Sequence, residues 1–374
     1  MLGIGIIGCG NISTAYLRLA PLFKGLEVRA VADLNPATAK AQATEFNVRA
    51  HSVEELLAAG DIDIVVNLTI PDAHFDVTRA ILQAGKHAYS EKPVVLTQEQ
   101  GEALRALATK KGLRVGSAPD TFLGGAHQAA RAAIDAGQIG DVVAGTAHVM
   151  NHGMEHWHPN PDFFFLPGAG PMLDIGPYYV TNLIQLLGPV ARVAALTSTP
   201  TTTREILSEP RRGEVIPVKT PTNIHALLDF ESGATITLST SWDVWAHRHG
   251  HMELYGSKGT MFLPDPNWFS GEVEVVDAAG VSTMLDTDTH PFGIPNQDNH
   301  GTAKANYRTA GLAEMAAALH DGRPHRCALE LALHAVDVMT AILDADEKGE
   351  MVQVSSTCER PEPLNAAAAR ALLK

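Results

Sequence analysis

The chain has 374 residues, of which 45% are hydrophobic and 19% are charged. This length exceeds one ordinary core and this composition excludes a disordered chain, so we expect two folded domains. The formal net charge of −14 makes nucleic-acid phosphates and anionic lipids unfavourable partners. We therefore predict no nucleic-acid partner and no membrane partner.

The three cysteines are too few and too scattered for a disulfide framework or a metal site. A sparse, odd set is typical of a reducing compartment, which predicts a cytoplasmic protein. No apolar run reaches the length of a transmembrane helix. The apolar start, Leu2 to Ile7, lacks a preceding cationic region and predicts a first strand rather than a signal peptide.

The first third of the chain alternates short apolar strands with helices. The predicted strands are 4–7, 27–33, 63–68, 87–89 and 113–116, and the predicted helices are 12–23, 36–46, 72–84 and 97–110. This alternation predicts right-handed crossovers and a parallel sheet, which together form a doubly wound Rossmann fold. We place this α/β domain at residues 1–121.

The pattern changes in the second domain, which we place at residues 122–374. After a helix at 124–136 the chain is rich in β-structure, with hairpins predicted at 222–242 and 252–263 and another strand at 272–276. Consecutive hairpins predict a large, mostly antiparallel sheet. Helices at 311–319 and 329–348 close the chain and could pack back on the first domain. Three stretches rich in Pro, Gly or polar residues predict long loops, at 157–171, 197–222 and 286–306.

A glycine-rich turn joins the first strand to the first helix. Its residues Gly8, Gly10, Asn11 and Ile12 let the backbone approach a pyrophosphate at the positive end of the helix, and a small residue, Ser13, takes the third position of the motif. The alternative is a glycine turn without a dinucleotide.

Asp33 ends the second strand ~20 residues further on, where a carboxylate can bind a ribose hydroxyl. It would repel a 2′-phosphate, and the residues that follow, Leu34 and Asn35, are not arginine. The turn and Asp33 together predict NAD, with NADP less favoured.

Further motifs carry a family resemblance: Glu91-Lys92-Pro93, the stretch Gly170 to Gly176, Asn67 to Pro71 with His74, and Asn306-Tyr307-Arg308 near the end. With the glycine turn, they resemble the glucose–fructose oxidoreductase / inositol dehydrogenase / MocA family over nearly the whole chain. The resemblance implies a C-terminal α+β domain with an open sheet and a nicotinamide held between the domains. It also implies a homodimer or homotetramer formed through that sheet. These motifs say little about the substrate, which we expect to be a sugar-like polyol. It adds Thr69, Pro71, His74, Glu91 and Lys92 to the expected cofactor contacts.

Oxidation of a carbinol needs a base for the hydroxyl proton and a cation for the developing alkoxide. Lys92, at the carboxyl end of a parallel strand, is the predicted cation, and its alternative is a surface lysine. The resemblance makes Asp174 its partner, which would orient Lys92 or bind a substrate hydroxyl. The alternative for Asp174 is an N-cap of the helix that follows.

The proton acceptor is the main departure from the family. Many members carry a histidine base four residues after the aspartate, where this chain has Tyr178. A phenol loses its proton much less readily than an imidazolium, so Tyr178 could act as a base only if the charge of Lys92 stabilises the phenolate. Otherwise Tyr178 would bind substrate or pack in the core. His156 is the candidate substitute base, and its alternative is a solvated loop histidine.

Aromatic and polar residues in the predicted loops are candidate sugar contacts, because Trp suits the apolar face of a sugar and His suits its hydroxyls. The predicted substrate contacts are Lys92, His152, His156, Trp157, Asp174, Tyr178, Trp245, Tyr307 and Arg308. His247, His249 and His251 alternate as they would on one face of a strand. The family chemistry needs no metal, and none is predicted.

Three functions remain open at this point. The first is an NAD-dependent oxidoreductase acting on a hydroxyl or keto group of a sugar, sugar derivative or cyclic polyol. The second, suggested by Tyr178, is a redox-neutral glycoside hydrolase or lyase that oxidises the sugar transiently with bound NAD. The third is a non-catalytic dinucleotide or sugar sensor, against which the presence of Lys92 and Asp174 argues.

Overall fold

The computed structural model describes residues 1–299 and 301–374. Its N-terminal part alternates strands and helices. The strands are β1 (Leu2–Ile7), β2 (Leu26–Ala32), β3 (Arg49–His51), β4 (Ile64–Asn67), β5 (His87–Ser90) and β6 (Val115–Ser117). The helices are α1 (Asn11–Leu19), α2 (Pro36–Phe46), α3 (Val53–Ala58), α4 (Pro71–Gln83) and α5 (Gln98–Lys111).

These six strands form one sheet in the order β3-β2-β1-β4-β5-β6, and every pair is parallel. From β1 the chain adds β2 and β3 toward one edge of the sheet, and it then adds β4, β5 and β6 toward the other edge. The central strands are continuous buried runs, as in a sheet covered by helices on both faces. The prediction of a doubly wound Rossmann sheet is confirmed.

The remaining elements build the C-terminal part. The helices are α6 (Gly125–Asp135), α7 (Gly170–Asp174), α8 (Gly176–Leu187), α9 (Ala310–Asp321), α10 (Leu329–Lys348) and α11 (Ala366–Leu372). The strands are β7 (Val142–Met150), β8 (Val190–Ser198), β9 (Thr203–Glu205), β10 (Val215–Pro217), β11 (Asn223–Phe230), β12 (Thr235–Ser241), β13 (Met252–Gly256), β14 (Gly259–Leu263), β15 (Glu274–Asp277), β16 (Ser282–Met284), β17 (Gln297–Asn299), β18 (Thr302–Lys304) and β19 (Val352–Gln353).

Nine of the described strands form a second sheet in the order β16-β15-β14-β13-β7-β12-β11-β8-β19. Only the β12–β7 pair is parallel among them, so the predicted large antiparallel sheet is confirmed. Helices α6, α8 and α10 pack against one face. The other face is open in the described chain, where Leu196 and Leu227 are 75% and 50% exposed.

Several elements differ from the sequence-based expectations. The predicted loop at 197–222 contains the β9–β10 pair, and the one at 286–306 contains the β17–β18 pair, although His300 of that loop lies outside the described residues. β3 and α3 were missed. The helix that was expected to follow Asp174 is α8, and every residue of it except Tyr178 is buried.

The C-terminus returns to the first sheet. The amide of Lys24 donates to the Leu372 carbonyl at 2.8 Å, and Phe23 forms a β-bridge with Leu373. A second bridge joins Gly116 of β6 to Ala328, just before α10. The last helices thus contact the Rossmann part, while the boundary between residues 121 and 122 stays a prediction. Within the described residues, no helix is both long enough and apolar enough to cross a bilayer.

Candidate functional site

The turn after β1 forms a cradle of main-chain groups. Gly8 has φ of 99°, and a Cβ added there would lie 2.5 Å from the Leu68 carbonyl oxygen, so only glycine fits. Gly10 faces open space and caps α1 without a side-chain hydrogen bond. The first turn of α1, from Asn11, therefore presents its main-chain N–H groups to a ligand, which suits a pyrophosphate.

Asp33 lies directly beside this cradle. One carboxylate oxygen accepts the N–H of Cys9 at 2.8 Å and the other accepts the N–H of Asn35 at 2.8 Å. Burial and the Asp33 charge together raise the pKa of the Cys9 thiol to about 11. Cys9 is therefore protonated near neutral pH, which agrees with a packing role.

The loops after β4 and β5 meet next to the cradle. Both ring nitrogens of His74 face main-chain carbonyls, 2.7 Å from the Pro93 oxygen and 3.0 Å from the Thr69 oxygen. His74 is buried, and it ties the Thr69–Pro71 loop to the Lys92–Pro93 turn instead of presenting a free nitrogen to a cofactor. The contact of His74 with the cofactor stays a prediction.

Glu91 and Lys92 follow β5 at the same edge of the sheet. Glu91 accepts the hydroxyl hydrogen of Tyr16 at 3.1 Å. The Lys92 ammonium reaches the second domain, where it donates to the Asp174 carboxylate at 2.8 Å and to the Asp174 carbonyl at 2.5 Å. The Lys92 and Asp174 side chains are 15% and 17% exposed, so the alternative of a surface lysine is wrong.

Burial alone would lower the pKa of Lys92. The charges of Asp174, Tyr178 and Glu91, with the hydrogen bond to Asp174, outweigh burial and raise the pKa above its ordinary value. Lys92 is therefore a cation at every physiological pH. It can stabilise a developing alkoxide, but it cannot be the group that takes a proton.

Asp174 is the last residue of α7. The N-cap of α8 is Ile175, which makes no side-chain capping bond, so Asp174 is not the N-cap considered as its alternative. Its carboxylate faces Lys92 instead. The two short helices meet at residues 174–176, and this junction turns the carboxylate out of the helix stack and toward the first domain.

Tyr178 is the one residue of α8 that is not buried. The Lys92 Nζ lies 5.4 Å from the centre of its ring. The neighbouring Tyr179 is fully buried, with its hydroxyl 3.0 Å from His251 Nδ1 and 3.3 Å from an Asp265 carboxylate oxygen. Of these two adjacent tyrosines, Tyr178 is the one that faces the Lys92 side chain.

Arg308 approaches Tyr178 from the loop before α9. Its Cζ lies 6.0 Å from the Tyr178 ring centre and 5.6 Å from that of Trp268. The guanidinium donates to Asn267 at 3.0 and 2.7 Å and to Asn306 at 3.3 Å. Burial would lower the pKa of Arg308, but the nearby Tyr178, Asp120 and Glu91 raise it, so the guanidinium remains charged.

Asp120 was missed by the sequence interpretation. It lies just beyond β6 and is buried, and one carboxylate oxygen accepts the N–H groups of Thr309 and Gly311 at 3.0 and 2.9 Å. Burial raises its pKa to about 6. The available signal was its position at the carboxyl end of a parallel strand, where Lys92 also lies. Asp120 fixes the backbone that carries Arg308.

The two histidines of this loop differ in exposure, because His156 is exposed and His158 is half-buried, and the role of His156 stays a prediction. His156 and Trp157 are exposed, and Trp157 is 54% accessible. The His158 ring packs edge-on against Phe163 and Phe164, with centroids 5.6 and 5.2 Å away. Burial lowers the pKa of His158, and the charge of Asp174 opposes that shift.

Other predicted substrate contacts belong to separate groups. Trp245 is 82% exposed and stacks on His152, with ring centroids 3.4 Å apart. His152 lies 3.8 Å from Glu155, which pairs with Arg204 of β9. The described contacts do not join this group to Lys92.

Tyr307 is buried and donates its hydroxyl to the Ile294 carbonyl at 3.1 Å. It therefore packs in the core, although it precedes Arg308. The predictions that His152, Trp245 and Tyr307 bind the substrate gain no support from these positions.

The histidines near β13 form a different kind of cluster. His249 stacks on His148 with ring centroids 4.2 Å apart, and His247 lies 6.1 Å from His249. His251 instead contacts Tyr179. In the described residues no group of three or more His, Cys, Asp or Glu side chains is arranged to hold a metal ion.

Comparison with known proteins agrees with this geometry. Residues 2–118 match the model of the oxidoreductase family with an NAD-binding Rossmann fold, and residues 127–262 match the GFO/IDH/MocA C-terminal domain. Inositol 2-dehydrogenase of Rhizobium meliloti is 34% identical over 37% of this chain and 42% of its own length. For 1,5-anhydro-D-fructose reductase of Ensifer adhaerens the identity is 32%, over 37% of this chain and 43% of its own length. The matches thus span less than half of these curated relatives.

Solved structures share the complete fold at low identity. An NAD-binding oxidoreductase from Klebsiella pneumoniae superposes with a TM-score of 0.81 at 22% identity, covering 95% of this chain and 99% of that one. Levoglucosan dehydrogenase in complex with NADH and L-sorbose gives a TM-score of 0.79 at 20% identity, with coverages of 95% and 99%. The Rossmann cradle, the open-sheet domain and both family matches show that this chain belongs to the Gfo/Idh/MocA oxidoreductase family.

Proposed function

We propose that this chain transfers a hydride between NAD and a hydroxyl or keto carbon of a sugar, sugar derivative or cyclic polyol. The observation that carries the proposal is the Lys92–Asp174 pair beside Tyr178, at the carboxyl edge of the parallel sheet. Ligands bind at this edge in open α/β sheets. The names of the relatives, an inositol dehydrogenase and an anhydrofructose reductase, support the substrate class.

The cofactor site fits NAD in its charges and shape. Main-chain groups at Gly8, Gly10, Asn11 and Ile12 would hold the pyrophosphate, and Asp33 would bind a ribose hydroxyl. Thr69, Pro71 and Glu91 line the adjoining loops. NAD, when bound, supplies the hydride acceptor.

Each catalytic side chain has one task in this proposal. Lys92 binds the reacting oxygen of the substrate and stabilises the negative charge that develops there. Asp174 positions Lys92 through the 2.8 Å bond. Since Lys92 stays protonated, the hydroxyl proton goes to Tyr178, which contacts the same ammonium. His158, whose pKa responds to the Asp174 charge, is a second candidate beside His156 for binding a substrate hydroxyl.

We also propose that a second copy of the chain covers the open face of the nine-stranded sheet. Alternation along β11 points His225 and Leu227 outward, and Leu196 of β8 lies opposite His225. Exposed apolar side chains on a broad sheet face are typical of association surfaces. A Leu227→Arg variant should lower the mass measured by light scattering, whereas unchanged mass would contradict assembly through this face.

The test of the activity is a panel of free sugars, inositols and glycosides, each with and without added NAD. NADH absorbance and product formation are followed together. NADH that appears with a polyol supports the proposal. Product that forms without NADH and without added NAD supports redox-neutral chemistry instead. If the protein binds NAD but forms neither NADH nor product, the proposal is contradicted and a sensor is favoured.

A further inference from the structure

Arg308 carries a positive charge that no carboxylate neutralises at ion-pair distance within the described part of the chain. Its hydrogen-bond acceptors are all neutral: the carbonyl and side-chain oxygens of Asn267 and the side-chain oxygen of Asn306. A largely buried guanidinium without a carboxylate partner is costly. A negative group that forms near Arg308 would therefore be stabilised by this charge.

The charges of the two cations near Tyr178 are balanced differently. Lys92 lies 5.4 Å from the ring centre, but its charge is offset by the Asp174 carboxylate 2.8 Å away. Arg308 lies 6.0 Å from the same ring and has no such partner. Tyr178 in turn helps to raise the pKa of Arg308. Arg308 is therefore the cation next to the phenol that lacks a carboxylate at ion-pair distance, while Asp120 and Glu91 act on its charge from further away.

We propose that Arg308 is a positioning residue whose charge holds Tyr178 in the phenolate form that accepts the substrate proton. This inference rests on the proposed function. In the step, the hydroxyl proton of the substrate moves to the phenolate oxygen and forms tyrosine. The electron pair of the carbon–hydrogen bond leaves as hydride for the oxidised nicotinamide, and the carbinol becomes a carbonyl. Arg308 thereby makes a tyrosine usable where the family resemblance implies a histidine.

Two further titratable groups interact directly with Tyr178, Lys92 after β5 and Tyr16 on α1. Three carboxylates act on these neighbours: Glu91 after β5 and Asp120 after β6 act on Arg308 and Tyr16, and Asp174 at the end of α7 acts on Lys92. Glu91 accepts from Tyr16, and Asp120 accepts two main-chain N–H groups, so hydrogen bonds hold both acids in place. Asp120 thus fixes the loop of Arg308 without bonding its guanidinium.

Arg308 sits on a backbone that is itself held in one conformation. Thr309, the next residue, has φ of 118°, which is unusual for a residue with a side chain. Its N–H donates to the buried Asp120. The guanidinium also lies over Trp268, which limits its rotation. A cation that is held in place stabilises a phenolate without reorganisation, whereas the charge of a mobile cation would be screened by solvent.

The test is a double-mutant cycle of Arg308→Gln with Tyr178→His, with Arg212→Gln on the exposed β9–β10 loop as the surface control. In the native background, Arg308→Gln should lower kcat/KM near neutral pH by ~10–100-fold and move the acidic limb of its pH profile upward. Arg308→Lys should keep part of the activity. In the Tyr178→His background, Arg308→Gln should cost at least about tenfold less, because an imidazole accepts a proton near neutral pH unaided. Equal losses in both backgrounds would overturn the inference and make Arg308 a substrate contact.

A second measurement does not depend on turnover. The absorbance of the Tyr178 phenolate is obtained as the difference between a protein and its Tyr178→Phe variant. This difference should rise at lower pH in the native background than in the Arg308→Gln background. Coincident titrations would overturn the inference. If Tyr178→Phe keeps full activity, the proton acceptor of the proposed function is wrong, whatever the spectra show about Arg308.

Discussion

The Lys92 ammonium donates to the Asp174 carboxylate at 2.8 Å, although the two residues are 82 positions apart in the chain. Lys92 follows the parallel strand β5, and Asp174 ends a short helix of the second domain. A largely buried ion pair adds little net stability, since desolvation offsets its attraction. Function is the better reason for this pair, because it places a permanent cation where the cofactor edge meets the second domain.

Asp33 is expected to set the cofactor preference. In Asp33→Ala the ribose of NAD loses a charged acceptor, and the repulsion of a 2′-phosphate disappears. The ratio of the NADP and NAD dissociation constants should therefore fall by roughly tenfold or more. Titrations of both cofactors, with the exposed Asp76→Ala as the control, measure this ratio. Weakening of both cofactors by the same factor would remove Asp33 from ribose recognition, since loss of the Cys9 N–H acceptor alone affects both equally.

Asp120 is expected to matter for folding as well as for the site. Asp120→Ala leaves two buried N–H groups, of Thr309 and Gly311, without an acceptor. The free energy of unfolding should fall by about 2 kcal/mol or more. Asp120→Asn keeps an acceptor oxygen and should lose less than half of that. Urea denaturation at neutral pH provides both values, and equal losses for the two variants would contradict the hydrogen-bond account.

Sequence reasoning reached the fold because its signals are local. The glycine turn at Gly8, the strand–helix alternation and the hairpin turns each depend on a few neighbouring residues. The Glu91-Lys92-Pro93 motif and Asp174 were likewise identified from the motifs of a family. The features that sequence reasoning missed depend on long-range contacts or lack a periodic sequence pattern. The position of Asp120 at a strand end was a local signal, but the N–H groups that it binds are 189 and 191 positions away, and no local pattern reveals them.

The choice between His156 and His158 shows the same limit. The two residues lie two positions apart in a loop that has no regular period, so nothing in the sequence determines which one turns inward. The aromatic packing of His158 on Phe163 and Phe164 makes that choice in the folded chain. Arg308 was predicted as a substrate contact, but its neutral hydrogen-bond partners became visible only in three dimensions.

His127 is expected to make stability depend on pH. It is fully buried, its Nε2 lies 2.8 Å from the Trp268 carbonyl, and burial lowers its pKa to about 4. The unfolded chain, with an ordinary pKa of ~6.5, binds more protons between these values. This contribution is intact above pH ~6.5 and is lost as the pH falls toward 4, by up to ~3 kcal/mol.

Denaturation at several pH values tests this sign. His127→Gln should flatten the fall in unfolding free energy between pH ~6.5 and 4, because glutamine does not titrate. The exposed His320→Gln on α9 serves as the matched control and should keep the native slope. If both variants follow the native pH dependence, His127 is not the group responsible.

The most direct test of the proposed chemistry compares the native protein with Lys92→Met, with Lys110→Met on the exposed side of α5 as the control. Single-turnover formation of NADH is measured with the substrate identified in the panel, and NAD binding is measured separately on all three proteins. We predict that Lys92→Met folds and binds NAD but forms NADH at least ~100-fold more slowly, whereas Lys110→Met behaves like the native protein. Near-native NADH formation by Lys92→Met would contradict the assignment of hydride transfer to the Lys92–Asp174 site.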